Sequence, residues 1–433
     1  MTNGTQSVAE YDAVALGASG ERFARWRRAA ENYLRVLAGS FGRLGLQAVY
    51  FLVLANTLSL QDMGVFASTS AAGIMIGCFV GLGFSSFAFR AAAGRRGTLG
   101  AYMALVYATG AATVPLGFLV ALIFYKLLFE GSIALSAFLG VIFVEIALWR
   151  LIEIVHQVNN GLGRYGAASS VIVLATAART AAALAFAAAG GGDVERWSVF
   201  YLIANGAAAV AVWAVYRPRA RLRWRWRLLV GRLRDALLFA VSYFAFNAQS
   251  EIDKIVMLSL ADERTAGIYA IAARIIDFTT VPMRTFYVLY TRKLIREGRA
   301  VDVIRRGLRV EAVIAVTSTA GFLALLAVLH LHPTLLGPNV AVATQLLSVM
   351  LAVPAFKNLL EFQSELFFAY GRMTARAVVA TALVALKAAA LAVLLTTFTA
   401  VPEWGAWLNA VFAGLYAISA VAIYRTVSTG ARR

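Results

Sequence analysis

The chain has 433 residues, of which 61% are hydrophobic and only 14% are charged, a balance that excludes an ordinary soluble domain. Its net charge of +18 would suggest a nucleic-acid partner in a soluble protein, but here the basic residues lie mostly in the connections between apolar stretches. The single cysteine, Cys78, lies inside an apolar stretch, so neither a disulfide framework nor a thiol metal site is expected.

The predicted elements begin with a polar, basic segment, residues 1–32, which lacks the apolar centre of a signal peptide and is expected to be a cytoplasmic tail. Twelve apolar stretches follow, each close to the ~20 residues that cross a ~30 Å hydrocarbon core. We predict helices over residues 34–57, 64–89, 100–126, 132–157, 167–189, 197–216, 235–260, 266–290, 308–331, 341–369, 374–398 and 404–427. The sequence therefore predicts an all-α polytopic membrane protein.

Basic residues fall in every second connection between these helices. The tails and the even-numbered loops hold 29 Lys and Arg, whereas the odd-numbered loops hold only Lys126, Arg196 and Arg264. Under the positive-inside rule, this asymmetry predicts a multi-pass protein of the bacterial inner (cytoplasmic) membrane with both termini in the cytoplasm. The densest cluster, residues 217–234, is predicted to be a basic cytoplasmic linker, and its interleaved tryptophans favour membrane lipids over nucleic acid as its partner.

The parts of the chain on either side of this linker, residues 33–216 and 235–427, resemble each other, and residues 428–433 are predicted to be a C-terminal tail. The turn sequence in residues 58–67 recurs in residues 258–270, between the first two helices of each half. Because six helices return the chain to the side where it started, the repeat predicts two parallel six-helix bundles around a central cavity.

A second match connects two charges that lie deep in predicted helices. Gly163-Arg164 before the fifth helix recurs 208 residues later as Gly371-Arg372 before the eleventh. The same offset takes Arg179, near the middle of the fifth helix, to Lys387 in the eleventh. The repeat therefore predicts equivalent positions for Arg179 and Lys387.

Neither of these cations, nor Arg43 in the first helix, has an acidic residue within four positions. A charge at a helix centre in the bilayer costs ~2.5–3.5 kcal/mol on insertion scales, so something must offset it. Two interpretations stay open: a structural ion pair with another helix, or a water-filled cationic cavity that binds an anion.

The other charges within the helices have acidic or basic neighbours along the chain. Candidates for ion pairing or coupling are Lys357 with Glu361, Arg274 with Asp277, Arg150 with Glu153, and the cluster of Glu251, Asp253 and Lys254. The three histidines are too scattered for a metal site, and no nucleophile–histidine–acid set can be argued. Neither a cofactor nor an enzymatic activity is predicted.

The seventh and eighth helices carry residues 246–254, then the run 266–270 (Ala-Gly-Ile-Tyr-Ala), then Arg274. This segment resembles a motif of polysaccharide exporters and O-antigen flippases, in which an Asp-Lys or Asp-Arg pair, here Asp253-Lys254, precedes a Gly-Ile-Tyr turn. The family pattern has Tyr-Arg where this chain has Ala273-Arg274. The resemblance implies the fold of the superfamily that also contains the multidrug and toxin extruders (MOP superfamily, MATE-like).

The resemblance implies a flippase for an oligosaccharide on a polyprenyl pyrophosphate carrier, as in O-antigen, exopolysaccharide or capsule assembly. A pyrophosphate is a concentrated anion, which arginine and lysine in a low-dielectric cavity would hold. The candidate headgroup contacts are Arg43, Arg179 and Lys387, with Lys254 and Arg274 as a supporting cluster. A glycan polymerase and glycosyltransferases are the expected protein partners.

Two alternative functions remain. A cation-coupled drug or metabolite exporter of the same fold would place its ligand on acids: Asp253, Asp277, Glu361 or Glu145. A non-transporting membrane scaffold for glycan assembly would depend on none of the midplane cations.

Overall fold

The computed structural model describes residues 42–94, 96–297 and 303–430, all of whose regular structure is helical. The predicted tail, residues 1–32, lies outside the described residues. The first helix, α1, covers 42–57 within the described range. The others are α2 Leu60–Gly77, α3 Ser85–Ala93, α4 Arg96–Phe124, α5 Leu135–Phe143, α6 Trp149–Gly161, α7 Tyr165–Ala188, α8 Val194–Tyr216, α9 Trp226–Leu260, α10 Glu263–Glu297, α11 Val303–Leu331, α12 Pro338–Val349, α13 Val353–Ala369, α14 Met373–Thr397 and α15 Val401–Gly430.

Most of these helices have the dimensions of membrane spans. By length and apolarity alone, six described helices qualify, or up to eight if each of two bent pairs is one span. The remaining segments, which are α1, the α5–α6 pair, α9 and α10, are short in the described range or carry several charges. With α2–α3, α5–α6 and α12–α13 each counted once, the described helices form twelve segments, as predicted, and the chain is an all-α multi-pass membrane protein.

Two of the predicted continuous helices are broken. The second bends by 56° between α2 and α3, where Gly81 and Gly83 adopt φ of 74° and 79°. The tenth bends by 75° between α12 and α13. There the side-chain amide of Asn409 receives the Ala352 N–H at 2.8 Å and donates to the Val349 carbonyl at 2.7 Å, so the freed backbone groups are satisfied.

The basic linker is only partly irregular. Residues 217 to 225 have no regular secondary structure, and α9 then begins at Trp226, whereas the seventh helix was predicted from 235. The first turns of α9 are rich in arginine. A search for apolar stretches therefore places the start of the helix after them, although they are part of the helix. At the other end of the chain, α15 continues to Gly430, into the segment predicted as a tail.

The two turns that suggested a repeat have the same backbone geometry. Gly163 and Gly371 both adopt a left-handed φ, 74° and 68°, which favours glycine. In the first turn the Arg164 N–H donates to the carbonyl five residues earlier at 2.9 Å. The Arg372 N–H makes the same bond at the same distance in the second. The match in sequence therefore reflects a match in structure.

The two halves touch where the odd-numbered loops lie. Here α2 crosses α10 so closely that a Cβ at Gly64 would clash with the Glu263 carbonyl, and one at Gly267 with the Leu60 carbonyl. The arrangement is reciprocal, as expected for helices related by a pseudo-twofold axis. Asn339 adds hydrogen bonds to two carbonyls near the end of α1, at 2.8 and 2.9 Å. The molecule is closed at this end.

At this crossing each glycine faces a backbone carbonyl of the other helix, which cannot rotate away as a side chain can. An added methyl group therefore cannot be accommodated without moving a helix. We expect Gly267→Ala to weaken the closed contact by about 1–3 kcal/mol, the usual penalty of overpacking, and so to favour opening at this end. A cysteine introduced at Ala67, just inside the crossing, should then react faster with a membrane-impermeant reagent added from the odd-loop side. The native Cys78 is buried and leaves little background.

Gly206 in α8 is the matched control, because a Cβ there meets no atom within 4 Å. Gly206→Ala should leave the labelling rate of the cysteine at position 67 unchanged. Equal rates in the Gly206 and Gly267 variants would contradict the assignment of this crossing as the closed end.

Candidate functional site

A cavity of about 150 Å³ opens between the halves, immediately beyond the α2–α10 crossing. Its wall combines aromatic and ionisable side chains. The aromatic members are Tyr50, Phe51, Phe66 and Tyr201, and the ionisable members are Arg179, Lys254, Arg274, Glu145, Glu251 and Asp277. Three of the five predicted substrate contacts, namely Arg179, Lys254 and Arg274, therefore meet in one central cavity.

Arg179 projects from α7 and is held from two directions. Its Nε donates to Asn205 Oδ1 at 2.7 Å, and its guanidinium carbon lies 4.1 Å from the centre of the Trp149 ring. The Asn205 amide is itself fixed, because its Nδ2 donates to the Tyr201 carbonyl at 2.7 Å. Among the described residues, Arg179 Nη2 has no hydrogen-bond partner, so an oriented guanidinium retains unused donors in the cavity wall.

Glu145 is the acidic neighbour of Arg179, but the two are not tightly paired. The carboxylate lies in a π-helical turn between α5 and α6, and Gly73 of α2 leaves room for it, since a Cβ there would clash with the Glu145 side chain. Its Oε1 accepts hydrogen bonds from Ser70 at 2.9 Å and Tyr201 at 2.5 Å, while Arg179 Nη2 is 3.9 Å away. Neutral hydroxyl groups satisfy this oxygen, which leaves the arginine available.

Lys254 and Asp277 are both engaged in ion pairs. Lys254 Nζ lies 2.5 Å from Glu251 Oε2, the pairing predicted within this cluster. Asp277 pairs instead with Lys357, which reaches it from α13. Asp277 and Lys357 thus pair with each other between helices, while the neighbours predicted for them along the chain, Arg274 and Glu361, act on them electrostatically.

Arg274 has the fewest partners of the cavity cations. Its guanidinium carbon lies 6.0 Å from the centre of the Phe278 ring. Within the described part of the chain, no hydrogen bond or ion pair of Arg274 accompanies this contact. Asp277 acts on this guanidinium electrostatically but is itself paired with Lys357, so Arg274 lies half-buried on the cavity wall with unused donors that favour an anion.

The lining holds three cations and three carboxylates, and Lys357, outside the lining, pairs with Asp277. Each carboxylate accepts a hydrogen bond or forms an ion pair, while Arg179 Nη2 and the Arg274 guanidinium have no hydrogen-bond partner among the described residues. The cavity therefore contains unused guanidinium donors beside carboxylates that are already engaged.

Lys387 does not line this cavity. It is 3% exposed, and its Nζ pairs with Asp253 Oδ2 at 2.7 Å and donates to the Gln249 carbonyl at 2.9 Å. Asp253 also accepts a hydrogen bond from the Tyr269 hydroxyl. Of the two interpretations left open for Lys387, the structure shows the structural ion pair, between α9 and α14, and not the predicted position in the cavity wall.

Arg179 and Lys387 lie at the same distance from the first residue of their helices, Tyr165 in α7 and Met373 in α14, in agreement with the predicted offset. Their surroundings differ. Lys387 donates to the carbonyl of Gln249 in α9, whereas in α7 it is Thr180, the residue after Arg179, that donates to the carbonyl of Leu46 in α1, at 3.0 Å. Arg179 instead lines the cavity.

The remaining predicted residues lie elsewhere. Arg43 is exposed near the start of the described part of α1 and is not among the residues that line the cavity. Glu361 lies one helical turn beyond Lys357 on α13 and also lies outside the lining.

Sequence reasoning missed the neutral residues that orient Arg179. Asn205, Trp149 and Tyr201 surround its guanidinium but lie on other helices, so no spacing along the chain connects them. The sequence did contain one signal for the acidic neighbour of Arg179. Glu145 is an acid in the middle of a predicted span, at a depth similar to that of Arg179.

The described helices form a multi-pass membrane protein whose fold is similar to that of solved transporters of the MOP superfamily. The sequence matches no family model and no curated protein. Its structure is similar to two solved structures described as multidrug resistance MATE family transporters of the MOP superfamily, one inward-facing and one outward-facing. The inward-facing structure matches at 15% identity, with 89% of this chain and 94% of that chain covered and a TM-score of 0.57. The outward-facing one matches at 14%, with 92% and 96% covered and a TM-score of 0.59.

A third similar structure has a distinct description. It is a MOP superfamily transporter from Pyrococcus furiosus, described as having a reverse polarity of the binding pocket that suggests a different function. The identity is 13%, with 92% of this chain and 95% of that chain covered and a TM-score of 0.59. Identities at this level establish the shared fold.

Proposed function

We propose that this protein is a membrane transporter that flips a polyprenyl-pyrophosphate-linked oligosaccharide across the bacterial inner membrane by alternating access. The observation that carries the proposal is the pair of guanidinium groups, Arg179 and Arg274, which keep unused donors in a cavity whose carboxylates are already engaged. A pyrophosphate offers oxygen acceptors that match the planar donor fork of arginine. The glycan is an O-antigen, exopolysaccharide or capsule repeat unit.

The other walls of the cavity suit the rest of such a substrate. Tyr50, which is half-buried, presents an aromatic ring and a hydroxyl group against which a sugar ring can pack. Phe66 and Tyr201 also line the cavity but are buried. The polyprenyl chain is as apolar as the bilayer and can remain there while the headgroup crosses.

The present conformation is too small for the whole substrate. Ligand pockets are usually ~300–1,000 Å³, and this cavity is about 150 Å³. The halves must therefore separate at the even-loop end to admit an oligosaccharide, while the crossing of Gly64 and Gly267 stays closed. Similar folds in inward-facing and outward-facing conformations support such a cycle.

The second candidate is a cation-coupled drug or metabolite exporter. In its favour, Glu145 lines the cavity, and a similar structure is a multidrug resistance transporter. Against it, Glu145 Oε1 already accepts two hydrogen bonds, and Asp277 and Asp253 are paired with lysines. The description of the Pyrococcus furiosus protein supports the use of pocket polarity to separate functions within this fold.

The test is a deletion of the gene, complemented by the wild-type gene. We expect the deletion to stop surface glycan assembly, with lipid-linked oligosaccharide accumulating on the cytoplasmic face, and to leave resistance to cationic drugs unchanged. Normal glycan together with drug sensitivity would favour the exporter. A scaffold that recruits a glycan polymerase and glycosyltransferases would instead retain function when the cavity arginines are neutralised.

The proposed orientation places the closed end in the periplasm and the linker in the cytoplasm. Gln61→Cys, in the first loop, should react with an impermeant thiol reagent in intact cells. Gly231→Cys, early in α9, should react only after the cells are opened. Both positions are exposed and Cys78 is buried, so each introduced thiol gives the main signal. Labelling of Gly231→Cys in intact cells would overturn the orientation.

A further inference from the structure

A second and larger cavity lies at the even-loop end of the first half. It has a volume of about 790 Å³ and lies between the starts of α4 and α7, the end of α8, and residues 217–225 of the linker. We call it the linker pocket. It is separate from the central cavity, with which it shares no lining residue.

The linker pocket is lined by arginine. Its basic members are Arg164, Arg217, Arg219, Arg221, Arg223 and Arg225. No Asp or Glu is present among its lining residues in the described part of the chain. Six guanidinium groups without a neutralising carboxylate on a common wall require anions from outside the protein.

The regular spacing of these arginines explains how one segment supplies most of the wall. From 217 to 225 the backbone is not helical, and arginine occupies every second position. The Ala220 N–H donates to the Pro218 carbonyl at 3.0 Å, so the chain turns at Arg219, and both flanking residues also line the pocket. From 221 to 225 only the arginines line it, whereas Leu222 and Trp224 between them lie outside the lining and are 58% and 52% exposed.

The segment is fixed to the body of the protein. The Arg223 N–H donates to the Gly100 carbonyl at 3.3 Å, and the linker backbone passes so close that a Cβ at Gly100 would clash with the Arg221 carbonyl. Just before the linker, the Asn159 amide donates to the Tyr216 carbonyl at 2.9 Å. The arginines are therefore displayed on an ordered scaffold.

A helix start adds to the positive potential of the pocket. The 24-residue helix α7 begins at Tyr165 without a side-chain cap, and Arg164 and Ala167 of its first turn line the pocket. The uncapped N–H groups and the helix dipole both favour an anion at this position.

The apolar side chains of the same segment indicate where that anion comes from. Leu222, Trp224 and Trp226 are all more than half exposed. Exposed tryptophan beside arginine is typical of a segment at the membrane–water interface. We propose that the linker pocket binds the phosphate headgroup of an anionic membrane lipid. This inference does not depend on the identity of the transported substrate.

The test uses the full-length protein in neutral detergent, titrated with phosphatidylglycerol or phosphatidylcholine and followed by native mass spectrometry. The pocket variant is Arg219→Gln with Arg221→Gln and Arg223→Gln. We expect it to bind phosphatidylglycerol at least about tenfold more weakly than wild type, since each arginine near a lipid surface contributes about 1 kcal/mol. Phosphatidylcholine binding should not change.

The matched control is Arg227→Gln with Arg232→Gln and Arg234→Gln, which removes the same charge from exposed positions outside the lining. Its affinity for phosphatidylglycerol should stay within about twofold of wild type, a difference of less than 1 kcal/mol. Equal losses in both triple variants would show diffuse attraction and overturn the site. Tight binding of inorganic phosphate or single-stranded RNA, without a preference for phosphatidylglycerol, would overturn the lipid assignment.

Discussion

Neutralising both cavity arginines, Arg179→Gln together with Arg274→Gln, should lower glycan export at least about a hundredfold, because hydrogen bonds to charged groups contribute ~1.5–3 kcal/mol each. The two guanidinium groups are the cations of the cavity wall that form no hydrogen bond to a carboxylate among the described residues, whereas Lys254 pairs with Glu251. The loss should be in transport and not in folding, since neither arginine is closely paired with a carboxylate. Export is measured per molecule of inserted protein in the deletion strain.

A conservative change separates charge from geometry. Arg179→Lys keeps the positive charge but loses the planar fork that stacks on Trp149 and donates to Asn205. Export should fall between the wild-type and Arg179→Gln rates. Arg227→Gln, an exposed change in the linker outside both cavities, is the control and should export normally. Wild-type export by the double Gln variant at normal abundance would eliminate the cationic site.

The second large effect is expected at the buried ion pair, and there the loss should be in stability. Lys387→Gln leaves the carboxylate of Asp253, which is 4% exposed, without its cation. Removing one partner of a buried pair costs about 3–5 kcal/mol. We therefore expect low membrane abundance and a lower thermal unfolding temperature for this variant and for Asp253→Asn.

The double variant Asp253→Asn with Lys387→Gln distinguishes a structural pair from a substrate site. The double variant buries no unpaired charge, so its membrane abundance should recover much of what each single variant loses. The effects of the two substitutions on stability should therefore not be additive. Export per folded molecule should then approach the wild-type rate. Full stability of Lys387→Gln combined with loss of export would show instead that Lys387 acts on the substrate, as the sequence had suggested.

The helices were predictable because composition alone determines them. A run of about twenty apolar residues has few alternatives to a helix in a bilayer, and α7, α8, α11 and α14 lie close to their predicted positions. The breaks after α2 and α12 were not predictable in this way, because hydropathy does not detect a left-handed glycine or an asparagine that caps a gap from another helix. The turns at Gly163 and Gly371 were detected because glycine is required there.

The site was harder to predict because it depends on which face of a helix a residue occupies. The repeat offset identified corresponding positions in α7 and α14, but it could not show that Lys387 pairs with another helix while Arg179 lines the cavity. Some partners lie on other helices, such as Asp253 for Lys387 and Asn205 for Arg179. A search for partners within four positions along the sequence cannot find them. Charge and depth could be read from the sequence, whereas pairing required the fold.

The most direct test of the anionic-substrate proposal is a binding measurement on the purified protein with two ligands that differ only in charge. A polyprenyl pyrophosphate should bind at least about a hundredfold more tightly than the corresponding neutral polyprenol, a difference of ~2.7 kcal/mol. Arg179→Gln with Arg274→Gln should remove that preference, whereas the linker-pocket triple variant should keep it. Equal affinities for the two ligands in the wild-type protein, or tighter binding of a lipophilic cation, would contradict the proposal.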